Sequence, residues 1–102
     1  MISTKNQRVP NLILVLLNQG NLVLSEKARE QLDSYPWLGT EDLENSILHG
    51  RVLKKEKDER GEAKYKYVIV GPAIDGSPVY SCGKVIKRGS RFYFVITFHE
   101  LR

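Results

Sequence analysis

One cysteine, one methionine, one tryptophan and two histidines occur in 102 residues. A single cysteine excludes an internal disulfide, and the chain reads as cytoplasmic or redox-indifferent. So few histidines and cysteines, with no ligand spacing, argue against structural zinc. No glycine-rich phosphate loop follows a strand and opens a helix. Neither metal nor cofactor is expected. Long hydrophobic runs are also missing. "LILVLL" follows Lys5 and Arg8 but is short for a signal peptide, and "NQGN" stands where a small-residue cleavage site would be. It is far too short to span a bilayer, so no membrane association is expected.

Acids become scarce in the second half of the chain. Sixteen Lys/Arg face twelve Asp/Glu, a net charge of +4. Residues 1–45 hold four bases and six acids, and residues 46–102 hold twelve and six. The acids fall in predicted helices and the bases in predicted strands and their loops. A basic sheet face suits a polyanion such as RNA, although net charge also serves solubility.

The length fits one domain, residues 1–102, with a modest core. "VPNLILVLLNQG" reads as a mostly buried helix opened by Pro10 and stopped at a left-handed Gly20. "NLVL" fits a very short strand or an extended link. Ser25 is an N-cap candidate for a second helix with Ala28, Leu32 and Tyr35 on one face, ended by Pro36. "TEDLENSILHG" restarts with Thr40 as cap and stops at Gly50. His49 in its last turn suits the negative end of the helix dipole. Trp37, between helices, is expected to lie over the core.

After Gly50 the period becomes two. Strands are expected near 51–57, 64–71, 78–87 and 91–99, with "KDERGEAK" an exposed hairpin loop. The predicted fold is α+β: helices (about 9–49) packed on one face of a curved antiparallel sheet of about four strands (about 51–99), with the other face partly open. In the last strand Phe92, Phe94, Ile96 and Phe98 should face the helices, since each such burial stabilises by about 1.5–3 kcal/mol. Arg91, Tyr93, Val95, Thr97 and His99 then point to the open face, with Tyr80 and Lys84 from the strand before.

Cations for phosphate and aromatics for unpaired bases suit RNA binding. The candidates are Lys66, Tyr67, Lys84, Lys87, Arg88, Arg91 and Tyr93. The bland alternative is a solvated edge that resists aggregation. His99 suits proton transfer near neutral pH, or is simply a polar strand end. Tyr80 suits orientation of a substrate, or cross-strand packing. Lys54 and Lys55 lie among acids that neutralise them. Cys82 reads as a small buried residue.

The stretches "LSEKAREQL", "TEDLENSILHGRVLKKEK", "KYVIVGPAIDGSPVYSCGKV" and "FYFVITFHE" resemble the domain of unknown function 4258 family. With "LLNQGNLVLSEKA" included, the chain is also similar to the MqsR group of mRNA-interferase toxins, which have a RelE-like fold. That resemblance implies metal-independent endoribonuclease action on mRNA, held in check by an antitoxin protein. The group's functional side chains are Lys, Gln, Tyr and Lys. Lys54 or Lys55 stands at the first position and Tyr80 at the Tyr. The Gln position falls near Tyr67, and the final Lys position holds His99. With these roles, the catalytic candidates are His99, Tyr80, Lys54 and Lys55. The alternative is a non-catalytic RNA- or protein-binding module on the same scaffold. A monomer or weak homodimer is expected.

Overall fold

Residues 7–101 are described in the computed structural model. Six strands and three helices follow the order β1 (Gln7–Arg8), α1 (Asn11–Asn18), β2 (Leu22–Leu24), α2 (Glu26–Asp33), α3 (Thr40–Leu48), β3 (Arg51–Lys57), β4 (Tyr65–Pro72), β5 (Pro78–Arg88) and β6 (Ser90–Glu100). The strands form one sheet in the order β1-β3-β4-β5-β6-β2. The fold is α+β, as the change of period implies. The sheet has six strands rather than four and is mixed, because β2 runs parallel to β6 while the other pairs are antiparallel. Two very short outer strands carry too few residues to show a period of two.

The helices start and stop for local reasons. The Gly20 N–H donates to the Leu17 carbonyl and the Asn21 N–H to that of Leu16, with Gly20 at φ +77°. This is the six-to-one and five-to-two pattern that ends a helix at a left-handed residue. Ser25 caps α2, its hydroxyl accepting from Ala28 N at 2.9 Å. For α3 the cap is Gly39, not Thr40: the Asp42 carboxylate accepts from Gly39 N at 2.8 Å, and Thr40 is the first helical residue. Gly50 does not have positive φ. Its missing side chain instead lets the end of α3 press on β4, since a Cβ there would lie 2.6 Å from the Val70 carbonyl oxygen.

Ile13, Leu43, Ile47, Val52, Ile69 and Val79 are among the fully or nearly fully buried side chains between the helices and the sheet. α1 is less buried than its composition implies. Ile13, Leu16 and Leu17 are inside, while Leu12 and Val15 are each 39% exposed because nothing packs on that side. Trp37 is 57% exposed and does not cover the core; its indole N–H donates to Glu100.

The faces of β6 differ from simple alternation. Cys82 pairs with Thr97 but Gly83 pairs with Val95, so Ile96 is an extra residue, a bulge. A bulge reverses which side chains face which side. Phe98 keeps the helix side, as alternation predicts. Beyond Ile96 the parity flips: Tyr93 and Val95 are buried in the core, while Phe92 and Phe94 share a face with Ile86 and Lys84, their pairing partners. Tyr93 therefore does not lie on the open face. Its ring packs over Gly83, where a Cβ would come within 2.6 Å of Cζ and the hydroxyl.

Ser25 holds the bulge in place. Its N–H donates to the Val95 carbonyl at 2.9 Å and its hydroxyl to the Ile96 carbonyl at 2.7 Å. Gln31 Oε1 accepts from Phe98 N at 2.8 Å. Together with β2, these contacts occupy an edge that would otherwise offer free backbone groups. A second bulge, at Leu53, shifts β3 against β4 between Val52 and Lys54.

Ser25→Ala removes both the helix cap and the bulge contact. It should lower unfolding free energy by about 1–2 kcal/mol, the usual range for a lost cap, in urea titrations. Tyr93→Phe should be neutral or stabilising in the same titrations. The Tyr93 hydroxyl is buried without a hydrogen-bond partner, and such a group costs about 1–3 kcal/mol.

Candidate functional site

Directly opposed residues in a sheet share a face. The registers therefore divide the sheet into rows. On the face away from the helices, one row runs Arg51, Val70, Tyr80, His99. The next runs Lys54, Val68, Cys82, Thr97, and the third Glu56, Lys66, Lys84, Phe94. Tyr80 and His99 lie side by side on adjacent strands. Their rings stack with centroids 4.5 Å apart and planes 19° from parallel. The stack follows from register alone, because Cβ atoms of opposed residues lie about 4.5–5.5 Å apart.

The predicted site residues separate into two groups. Tyr80, His99, Lys54, Lys66, Lys84 and Arg88 belong to the open face. Lys55, Tyr67, Lys87, Arg91 and Tyr93 belong to the helix side. Lys55 opposes Tyr67, which opposes Gly83, and Lys87 opposes Arg91, in step with the buried residues. The Lys55 ammonium lies 4.2 Å from the centroid of the Tyr65 ring. Burial pushes the Tyr67 and Tyr93 phenols above their ordinary values.

The cations of the open face are compensated. The 58–64 loop brings its acids back to the sheet. Asp58 accepts from the Lys84 ammonium at 3.0 Å, with side chains only 6% and 15% exposed. Glu62 pairs with the Arg88 guanidinium, and Glu56 lies 3.4 Å from Lys54 and 4.0 Å from Lys66. The loop is an exposed hairpin, as expected, with Glu59, Arg60, Gly61, Glu62 and Lys64 exposed; what alternation does not show is that Asp58 and Glu62 pair with bases of the β5–β6 hairpin. Its acids at 58 and 62 were visible as residues. Their partners are not, because the loop's direction depends on the sheet's twist.

The open face thus has two halves. The half near the β5–β6 hairpin holds the Lys84–Asp58 and Arg88–Glu62 pairs. The half near the β4–β5 turn holds Tyr80, His99, Cys82 and Thr97, with Arg51 at the edge. Sequence reasoning missed Arg51, which pairing alone puts in the histidine's row. Burial, first among several influences, pushes the Cys82 thiol up and keeps it protonated at neutral pH. Among the described residues no group of three or more His, Cys, Asp or Glu side chains converges as metal ligands. No described helix is long and apolar enough to cross a membrane.

No protein-family model, curated protein or solved structure matches the chain.

The Lys84 hydrogen bond holds the Asp58 carboxyl below 3.8, the ordinary aspartate value. A lowered folded-state pKa stabilises the fold above the unfolded value, and that stabilisation is lost as pH falls through the folded one. The loop should stay docked above about pH 3.8 and release only at more acid pH. Amide exchange at residues 58–64 should rise there before exchange in β5 does. Asp58→Asn, which cannot ionise, should raise that exchange at neutral pH as well.

Proposed function

We propose that this chain is a toxin-type endoribonuclease that cleaves RNA on the open sheet face without a metal ion. The observation that carries this reading is the stacked, half-exposed Tyr80–His99 pair on the face away from the helices, which Arg51 and Lys54 share from β3. Helices on one side of the sheet and a polar site on the other also support a RelE-like classification.

In the proposed reaction the neutral imidazole of His99 takes the proton from a ribose 2′-hydroxyl as that oxygen attacks the adjacent phosphorus. The bond from phosphorus to the 5′-oxygen breaks, and the leaving oxygen takes a proton from solvent. The products are a 2′,3′-cyclic phosphate and a 5′-hydroxyl end. Tyr80 stacks on the imidazole and fixes the plane of its ring. Arg51 and Lys54 offset charge building on the phosphate oxygens. The Lys54–Glu56 pair is exposed, and such pairs contribute only about 0–1 kcal/mol, so a phosphate can displace the carboxylate. On this reading the protein acts in the cytoplasm and an antitoxin covers the face.

A second reading is a non-catalytic RNA-binding module. The pairing of Lys84, Arg88 and Lys66 with acids favours it, because it leaves few cations to stabilise a transition state.

Incubation with mRNA in EDTA separates the two. Cleavage that leaves cyclic phosphate ends, slowed about a hundredfold or more by His99→Ala, is expected for the enzyme. Equal cleavage by the variant, or none by the natural chain, removes that reading. Salt-sensitive binding without cleavage is the result expected of the module.

A further inference from the structure

The helix side of the sheet holds a second basic surface. α1 leaves uncovered the end of that side nearest the β3–β4 and β5–β6 hairpins. Two grooves of about 420 and 280 Å³ meet there at the half-exposed Leu12. One runs between α1 and the β5–β6 hairpin, past Val15, Gln19, Lys87 and Arg91. The other is walled by Lys64, Tyr65, Tyr67 and Val85. Lys55 and Lys57 oppose Tyr67 and Tyr65 and lie on the same side.

The bases here differ from those of the open face. Lys54, Lys66, Lys84 and Arg88 each have a carboxylate partner. Among the described residues, Lys55, Lys57, Lys64, Lys87 and Arg91 have none. Five uncompensated cations flank a floor of two tyrosine rings and aliphatic carbon. Lys57 and Lys87 lie two strands and about two residues apart, roughly 12 Å, so the cations line both ends of the groove rather than one point.

We propose that this groove binds single-stranded RNA. Its cations meet successive phosphates, and Tyr65 and Tyr67 offer aromatic surface to unpaired bases. The cations sit on three strands and a loop around an aromatic floor, which suits a ligand with a charge and a ring on every unit. The proposal rests on RNA being the chain's ligand, not on cleavage. The groove lies across the sheet from His99, and it anchors RNA independently of the chemistry there.

The test uses the full chain and a short fluorescein-labelled 2′-O-methyl oligouridylate, which has no 2′-hydroxyl to attack. Anisotropy is measured over a salt series. Lys87→Glu with Arg91→Glu should raise Kd at least tenfold at low salt. The slope of log Kd against log salt should fall by about 1.4, about 0.7 for each phosphate contact on a single strand. Lys55→Gln with Lys57→Gln, on a different strand, should do the same and serves if the first variant does not fold. Lys27→Gln, an exposed position on α2 outside both sites, should leave Kd within twofold. Unchanged Kd and slope in a folded groove variant overturn the proposal, even if cleavage is confirmed. So does tight binding of polyglutamate with no binding of the oligonucleotide, which would assign the groove to an acidic protein.

Discussion

The contact between Ser25 and the carbonyls of Val95 and Ile96 fixes which side chains of the last strand face the helices and which face away. One side chain caps α2 and also fixes a bulge in the last strand. The bulge decides that Tyr93 and Val95 join the core while Thr97 and His99 stay on the open face. With no extra residue at Ile96, His99 could share the Tyr80 row only if Phe92 and Phe94 lay inside and Tyr93 outside. A one-residue irregularity therefore sorts an aromatic-rich strand between two environments.

The same bulge explains which parts of the structure are legible in the sequence. Helix positions, the change of period at Gly50 and the α+β class follow from capping residues and alternation. That Tyr80 and His99 share the face away from the helices also follows, because both lie on the near side of the bulge, where alternation holds; their direct opposition is set by the register. Tyr93 and Arg91 lie beyond it, and simple alternation gives them the wrong face. Val85 and Lys87 keep alternation with Val79 and so stay on the helix side. Nothing in "FYFVITFHE" marks the extra residue. It depends on Ser25, which is 71 positions away in the chain. The very short strand that "NLVL" suggests is β2, but its parallel pairing with β6 is not legible, since three residues cannot display a period.

Charge pairing shows a similar limit. The loop at 58–64 contains its acids in plain view, yet their effect depends on its path back over the sheet. Docked there, the loop supplies carboxylates where an RNA ligand would place phosphates. The open face is consequently less basic than its lysine count implies. The helix side, where α1 stops short, is more so. Among the described residues, the bases around the groove that have no carboxylate partner thus lie on the helix side, whereas the expected basic surface was the face without helices.

The tie between residue 25 and residues 95–96 also bears on how the molecule comes into being. Contacts so distant along the chain form slowly, because the closure entropy of the intervening segment precedes any gain. During synthesis α1 and α2 emerge long before β6, the strand they dock on. His99 cannot meet Tyr80 until the final hairpin has closed. A nascent chain whose β6 has not yet emerged therefore lacks the ring stack entirely, and whatever chemistry belongs to that stack is withheld until β6 has paired with β5.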